Sequence, residues 1–546
     1  MSTTGAEANQ PPPLVDYNLF EADAPLREAL EREGASWAQD MLDELGELAG
    51  TQRAIDWGFE ANANPPQLRT HDRYGERIDE VDFHPSWHEL MNVAVGHGLH
   101  ALPWREPRPG AHAARAAAFY VWSQVEGGHG CPVSMTYAAV PVLRRSPALA
   151  KHWEPLLTTL DYDPGLRPAS TKKGVLVGLA MTERQGGSDV RTNTMQAVPT
   201  GHDGEHLLTG DKWFCSAPMC DAFLVLAQAP KGLSCFLVPR ILPDGTRNAF
   251  HIQRLKDKLG NRSNASSEIT LEGAWAVLVG EEGRGVTTII EMVNHTRLDC
   301  VIGSASLMRQ AVAQATHHAA HRRAFGKLLA DQPLMVNVLA DLAVESEATT
   351  VLMMRLAGAF DRASDPAEAH FKRIGVAIAK FWTTKRAVAV VAEALECHGG
   401  NGYVEESILP RLYREAPLNS IWEGSGNVNA LDVLRAMRKE PQSVEAFFAE
   451  IEAAPRDPRL ARAVAALRRE LGDEAEIESR ARRIVERMAV MLEASLLLRH
   501  GDPAVAELFV ASRLEGEWGH TFGSLKPGAE LRTVIERHRP RLRRET

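Results

Sequence analysis

The stretch EHLLTGDKWFCSAPMCDAFLVLAQAPKGLSCFLVP, residues 205–239, decides the fold. Its short apolar or alternating runs resemble those at 174–204 and 250–279, and turn-forming stretches such as GHDG, PDGT and GNRSNAS separate them. Short strands at this spacing predict a compact antiparallel sheet or barrel of roughly a hundred residues. Since helical periodicity holds on both sides of it, we expect a β domain at 174–285 within an otherwise helical chain.

The flanking regions are predicted to be helical. Residues 1–173 should form a helical domain without strands, preceded by a loose polar arm over 1–14. A helical bundle is expected at 286–440, because helices of about thirty residues need partners along their length. We place its helices at about 286–321, 332–363, 366–398 and 426–438, the third ending at the glycine pair Gly399-Gly400.

The composition is that of a soluble globular protein. The 546 residues are 44% hydrophobic and 24% charged, and the net charge of −10 excludes a polycation that wraps nucleic acid by charge alone. The chain has no apolar run of the ~18 residues that a membrane span needs. The N-terminus, MSTTGAEANQPPP, lacks signal-peptide order, and six scattered cysteines argue against a disulfide framework. We therefore expect a cytoplasmic protein that does not contact membranes.

The last hundred residues differ in composition from the rest. Residues 441–546 hold 18 Lys and Arg, all but one of them Arg, and 18 Asp and Glu. We expect a further helical domain here with an arginine-rich end.

Two motifs in the predicted β domain could bind a flat or anionic ligand. In Met181–Asp189, MTERQGGSD, hydroxyls stand beside two glycines that allow close backbone approach. Taken alone, that segment is explained more simply by an ordinary β-turn that needs glycine. Trp213 and Phe214, followed by Ser216, could wall a planar ring, although aromatic residues in strands are usually core.

Two motifs in the predicted bundle contain charged residues that could bind an anion or act as a base. Arg322 lies at a helix end. Its guanidinium could form two parallel hydrogen bonds with a phosphate, or it could simply face solvent. His317 and His321 have metal-compatible spacing, but no acidic third ligand is in register, so we expect no metal site.

Glu423 lies between Trp422 and a Gly/Ser loop. Burial there would raise its pKa from about 4.3, as a general base requires. Alternatively, Ser425 or Asn427 caps the next helix and Glu423 adds a favourable charge.

Taken in order, the motifs MTExxGGSD, KWFxS, RxxFG, HGGNGY and the late EGS resemble the acyl-CoA dehydrogenase flavoprotein family over about residues 80–438. The blocks DYNLFEAD, NANPPQL, FHPSWHELM, RLKDKLGNRSNAS and PRLYREAPLNSIWEGSGN are similar to one branch, the bacterial alkylation-response flavoproteins, over nearly the whole chain. The resemblance implies an α+β fold with an N-terminal helical domain, a central antiparallel β-barrel and a helical bundle. It also implies a homotetramer that binds FAD between barrel and bundle.

The resemblance assigns roles to individual residues. Glu423 takes the position of the catalytic base, while Thr296, where some relatives carry that base, and Arg297 fall on the substrate side. The expected FAD contacts lie near the flavin and pyrophosphate (Met181, Thr182, Gly187, Ser188), around the ring system (Trp213, Phe214, Ser216), on a neighbouring subunit's adenosine and pyrophosphate (Arg322, Phe325, Gln332) and in segments that close over the cofactor (Gly399, Gly400, Ser420, Ile421, Trp422, Gly424, Ser425, Asn427).

Two functions follow from the resemblance. The first is oxidation of a short or branched acyl-CoA thioester, with Glu423 removing the α-proton while flavin N5 takes the hydride; Trp422, in place of a smaller Tyr, would narrow the acyl channel. The second is a flavoprotein that binds double-stranded DNA through 441–546 and protects it from alkylating agents, with little or no acyl-CoA turnover. Alternatively, the arginines of that segment pair with its acids in a tetramer interface.

Overall fold

The computed structural model describes residues 9–473, 475–528 and 530–542. The chain divides into two compact units. Unit 1 comprises Met1–Gln52, Pro109–Val125 and Cys300–Thr546, and unit 2 comprises Arg53–Arg108 and Glu126–Asp299. Within the described ranges, no helix has the length and apolar character needed to cross a membrane.

Most of the described chain outside the β domain is helical. The N-terminal helices are α1 Ala24–Arg32, α2 Gln39–Ala49, α3 Gln52–Ala63, α4 Pro85–Gly96, α5 Leu102–Arg105, α6 Ala111–Ser123, α7 Gly130–Leu143 and α8 Pro147–Leu157. The central helices are α9 Gly285–His321, α10 Pro333–Asp361, α11 Pro366–Cys397, α12 Gly400–Tyr403, α13 Leu409–Glu415 and α14 Gly426–Lys439. The last are α15 Gln442–Glu452, α16 Pro458–Leu471, α17 Ile477–His500, α18 Pro503–Phe509 and α19 Glu530–His538. The four predicted bundle helices are confirmed.

Three helices begin at an Asp-Pro pair, namely α11, α16 and α18. The carboxylates of Asp365, Asp457 and Asp502 accept hydrogen bonds from the first free backbone N–H groups of these helices. Proline suits the first helical position because its missing N–H would have had no partner there. This short signal therefore fixes three helix starts in unit 1.

The β domain of unit 2 is a closed barrel. Its strands are β3 Val177–Ala180, β4 Gln196–Pro199, β5 Glu205–Ser216, β6 Ala222–Ala229, β7 Gly232–Pro239, β8 Phe250–Leu255 and β9 Ser266–Val279. The ring runs β6-β4-β5-β9-β7 and back to β6, and β8 pairs with β9. The predicted barrel is confirmed, with one correction: β3 and β4 pair with β6 in parallel.

The prediction of no strand before residue 174 is wrong. Strands β1 Gln67–His71 and β2 Arg77–Asp82 form an antiparallel hairpin. Asp72 closes the turn by accepting the backbone N–H groups of Tyr74 and Glu76. Because ion pairs rather than apolar alternation line these strands, hydrophobic periodicity does not reveal them.

Unit 1 includes the C-terminal helices. In the middle of α10, Glu347 accepts hydrogen bonds from Arg537 and His538 of α19. Arg513, which follows α18, bonds Asp341 at 2.6 Å and Glu345 at 2.9 Å, both on α10. One face of α17 is also fully buried. The described residues after 440 are thus packed onto the bundle and do not form a separate body.

The prediction of a loose arm over residues 1–14 is wrong from Asn9 onward. Asn9 exchanges two side-chain hydrogen bonds with the backbone of Arg323, and Leu14 is buried. Residues 1–8 lie outside the described residues.

Candidate active site

The loop Met181–Asp189 leaves strand β3 of the barrel and is held by a buried carboxylate. Glu183, 3% exposed, accepts hydrogen bonds from Lys212 Nζ at 2.8 Å and from the backbone N–H groups of Thr194 and Met195. Burial alone would raise the pKa of Glu183, but these hydrogen bonds and the Lys212 charge outweigh it and lower the pKa. The loop is therefore anchored by an ionised pair, and so the ordinary-turn interpretation is incomplete.

The same loop presents the residues predicted to bind a cofactor. Trp213 N–H donates to Thr182 O at 2.8 Å, which joins the loop to β5. A Cβ on Gly187 would lie 2.4 Å from Thr182 Oγ1, so close packing on Thr182 requires glycine at 187. Met181 and Thr182 are half-buried, while Gly187 and Ser188 are exposed. Hydroxyls and free backbone thus line an accessible loop.

A β-bulge orients the aromatic pair. The pairing of β5 with β9 shifts between Lys212 and Cys215, at Trp213 and Phe214. Bulges redirect side chains, and Phe214 is 50% exposed, so the interpretation as core residues does not hold for it. Ser216 ends the same strand and is half-buried.

Lys256, which sequence reasoning missed, lies against the predicted aromatic pair. Its Nζ lies 3.6 Å from the centroid of the Trp213 ring and 4.6 Å from that of Phe214, and it pairs with Glu268 at 2.6 Å. A cation over these rings places positive charge beside the aromatic surface. Its position within the conspicuous block RLKDKLGNRSNAS was the available signal.

In unit 1, Glu423 lies on a strained turn. Its φ of 56° is in the left-handed region, and Gly424 follows with φ 93°. Such a conformation costs a bulky residue of the order of 1 kcal/mol and persists where the surroundings enforce it. Trp422 Nε1 donates to Asn419 Oδ1 at 3.0 Å, and Asn419 in turn bonds Ser304 of α9.

Two further residues hold this turn through the backbone carbonyl of Gly424. Gly424 O accepts 2.6 Å hydrogen bonds from Lys380 Nζ and from Asn429 Nδ2. Ser425 occupies the N-cap position of α14 but makes no capping hydrogen bond with its side chain. Ser420 and Ile421 lead into the same turn, Ile421 is 63% exposed, and Asn427 lies in the first turn of α14. Sequence reasoning missed Lys380, whose signal was a lone charge inside the apolar run VAIAKFW.

For the flavin reduction by acyl-CoA that the sequence resemblance implies, we expect Lys380→Met to slow the reaction by about ten- to a hundredfold, since a misplaced catalytic group costs rate on this scale. The methionine side chain is about as long as the buried part of lysine and is apolar, so the bundle should stay folded. The measurement is stopped-flow flavin reduction, with Lys372→Met of the same helix as control because Lys372 lies against Phe360. An unchanged rate would show that Lys380 does not position the loop.

The end of α9 presents the residues predicted to bind a neighbouring subunit's cofactor. A small hairpin, Arg323–Ala324 with Lys327–Leu328, carries Phe325 at its tip, 99% exposed and with φ 52°. Gln332 Nε2 donates to Ala324 O at 3.0 Å and so supports the hairpin. His321 Nδ1 donates to His317 O at 2.9 Å, and the described residues contain no metal-binding cluster.

The glycine pair lies in unit 1 after α11. Gly399 has φ 58° and ψ −139°, and a Cβ at Gly399 or Gly400 would meet nothing within 4 Å, so the pair leaves open space. His398 lies beside His318 of α9, with ring centroids 4.4 Å apart. Glu396, at the end of α11, is exposed.

His318 provides a pH test of this region. Burial, with the charges of His398 and Arg322, lowers its pKa to about 3. The unfolded chain thus binds a proton that the folded chain does not, so stability falls as pH decreases from about 6.5 towards 3. In His318→Gln we expect the number of protons taken up on unfolding at pH 5 to be lower by about one than in the unmodified protein. Denaturant titrations across pH measure this, and exposed His152→Gln is the control. Equal slopes of the unfolding free energy against pH in His318→Gln and in the unmodified protein would contradict the lowered pKa of His318.

Thr296 and Arg297 lie on the part of α9 that belongs to unit 2. Both are buried, and the Thr296 hydroxyl donates to Met292 O or Val293 O of its own helix. A threonine hydroxyl that donates within its own helix is not placed to act as a base.

The described residues fit FAD by the chemistry of their donors. Unit 2 offers loop hydroxyls and an exposed aromatic surface with a cation. Unit 1 offers the Arg322 guanidinium and the open glycine turn.

Comparisons with known proteins give a consistent result. Three family models match: the N-terminal domain of the adaptive response protein AidB at residues 9–164, the acyl-CoA dehydrogenase middle domain at 178–274 and the acyl-CoA dehydrogenase C-terminal domain at 283–438. AidB of Escherichia coli strain K12 is 46% identical over 514 residues, 94% of each chain.

Two solved structures extend the comparison. Caenorhabditis elegans ACDH-11 in complex with C11-CoA is 26% identical, with a TM-score of 0.85 over 98% of this chain and 93% of that chain. An acyl-CoA dehydrogenase of Bacillus anthracis complexed with FAD, 20% identical, has the same fold, with a TM-score of 0.63 over 83% of this chain and 85% of that chain.

Proposed function

Because this chain belongs to the acyl-CoA dehydrogenase family, with AidB among its relatives, we propose that it oxidises the Cα–Cβ bond of an acyl-CoA thioester. FAD, the cofactor of the family, supplies a hydride acceptor when bound. The carboxylate of Glu423 takes the α-proton, the hydride leaves from the β-carbon, and an α,β-unsaturated thioester remains. One observation carries the proposal: Glu423 is held in a strained conformation by a loop that is anchored on both sides.

The remaining roles follow from the contacts. Thr182 and Ser188 would bind the cofactor with hydroxyls, and Trp213, Phe214 and Lys256 would face its ring system. The backbone N–H of Glu423 would stabilise the thioester oxygen as charge develops on it. Exposed Phe325 supports a homotetramer in which a neighbouring subunit's cofactor covers this side chain.

The direct test mixes purified protein with a panel of acyl-CoA thioesters and follows bleaching of the flavin absorbance. Short and branched acyl chains belong in the panel, and an eleven-carbon chain is added because ACDH-11 was solved with C11-CoA. Bleaching by at least one thioester is the expected result. A flavin that stays oxidised with every thioester would refute the dehydrogenase proposal.

A second candidate function is association with double-stranded DNA as part of an alkylation response. Many arginines of 441–546 are paired within the chain, for example Arg459 with Glu507 and Arg499 with Glu450, which favours pairing over DNA contact. One observation favours DNA. Lys385 and Arg482 both approach the Phe381 ring, and among the described residues neither forms a salt bridge. Burial and the Arg482 charge lower the pKa of Lys385.

This candidate is tested with point variants, because deleting 441–546 would remove α17 and expose the face of α10 that the C-terminal helices cover. Each phosphate contact contributes about one unit to the slope of log affinity against log salt. We expect Lys385→Gln with Arg482→Gln to reduce that slope by about two for duplex DNA. Arg462→Gln, at an exposed arginine paired with Glu515, is the control. A slope equal to that of the unmodified protein, or no binding at all, would refute DNA association through this patch.

A further inference from the structure

Residues Asn9–Pro12 lie across two segments of unit 1 that are far apart in sequence. Asn9 Nδ2 donates to Arg323 O at 2.9 Å, and Arg323 N–H donates to Asn9 Oδ1 at 2.9 Å. This paired amide contact reproduces one rung of a β-ladder. Asn9 adopts φ 54°, a conformation that asparagine tolerates better than most residues.

The neighbouring residues extend the contact in both directions. Arg322 Nη1 donates to Asn9 O, and His317 Nε2 donates to Pro12 O at 2.9 Å. On the other side, Asn401 Nδ2 donates to Gln10 Oε1 at 2.9 Å. The segment thereby joins the end of α9 to the turn that contains Gly399 and Gly400.

The chemistry of these contacts leaves Arg322 able to bind an anion. A carbonyl oxygen fixes the guanidinium without neutralising its charge, and no salt bridge of Arg322 occurs within 9–473, 475–528 and 530–542. Arginine has five N–H donors, so one hydrogen bond to Asn9 O leaves the remainder of the fork for a phosphate. A guanidinium held in place beforehand loses less conformational freedom when it binds.

We propose that Asn9–Pro12 is a strap that positions Arg322 and the Gly399–Asn401 turn for the adenosine diphosphate half of FAD. The inference rests on the proposed function, in which the chain binds FAD. Asn9 and Gln10 are positioning residues. They act on the cofactor through Arg322 and through Asn401.

The test compares apoproteins by their Kd for FAD, measured from quenching of flavin fluorescence. A chain lacking residues 1–8 keeps the strap, and a chain lacking 1–13 loses it but retains Leu14 and the backbone hydrogen bond from Asp16 N–H to Gly50 O. We expect the first to bind FAD as the full chain does and the second to bind about tenfold more weakly. Asn9→Ala should weaken binding about threefold, with an unchanged thermal unfolding temperature of the apoprotein.

The possible outcomes separate the strap from the function. If the chain lacking 1–13 and Asn9→Ala bind FAD normally while the full chain is reduced by acyl-CoA, the strap proposal is overturned and the proposed function stands. Tighter binding after truncation would also overturn it, because the segment would then compete with the cofactor. A full-length chain that does not bind FAD would overturn the proposed function itself.

Discussion

Glu423→Gln is expected to reduce the rate of flavin reduction by acyl-CoA about a thousandfold, within the range that a positioned general base contributes. Glutamine has the same shape as glutamate but cannot accept the α-proton. FAD should stay bound, since the turn keeps the two hydrogen bonds that Gly424 O accepts from Lys380 and Asn429. Stopped-flow absorbance of the flavin measures the rate, and the flavin-to-protein ratio checks retention.

Glu423→Gly separates strain from catalysis at the same position. Since φ at 423 is 56°, glycine should relieve strain of the order of 1 kcal/mol, so this variant should be at least as stable as the unmodified protein and yet inactive. A glutamine variant that keeps a tenth or more of the original rate would exclude Glu423 as the base. Loss of FAD from that variant would instead assign Glu423 a structural role.

Lys212→Met should destabilise the protein by about 3–5 kcal/mol, the cost of leaving a buried charge without its partner. Lys212 is 1% exposed, and its Nζ bonds Glu183 and Leu226 O. Burial lowers the pKa of Lys212, and the Glu183 carboxylate partly offsets this. Denaturant unfolding measures the change. Exposed Lys231→Met should alter stability by less than about 0.5 kcal/mol.

The pH dependence of that variant has a definite sign. The lowered pKa of Glu183 contributes stability above about pH 4.3, and this stability is lost as pH falls. Without Lys212 the contribution disappears, so the difference in stability between the two proteins should be constant at neutral pH and shrink as the pH falls below about 4.3. Replacing both partners, as Glu183→Gln with Lys212→Met, should recover most of the loss. A double variant as unstable as the single one would show that the pair is not the cause.

Much of the fold could be predicted because the chain obeys local rules. The bundle helices have strong periodicity and clear ends, such as the glycine turn at Gly399, and the barrel strands alternate with turn-formers. The hairpin β1-β2 was missed because it depends on ion pairs such as Arg69 with Asp82. The parallel pairing of β3 with β6 was missed because strand direction depends on contacts distant in sequence.

The candidate site was predictable where one segment carries the chemistry. The loops around Thr182 and Glu423 could be identified from short motifs, and so could the exposed tip at Phe325. Lys256, Lys380 and the contacts of Asn9 could not, because each depends on a partner from another part of the chain. A single charge in a sequence does not reveal which carbonyl or ring it will meet.

The packing of the last helices onto α10 has a consequence for synthesis on the ribosome. Glu347 pairs with Arg537 and His538, and Asp341 and Glu345 pair with Arg513. Because these partners are near the C-terminus, the buried acids of α10 gain them only when translation is nearly complete. Nascent bundle helices must stay uncovered for almost two hundred codons, exposing apolar surface to chaperones or to aggregation. Premature termination near residue 440 should therefore yield insoluble product and not a smaller flavoprotein.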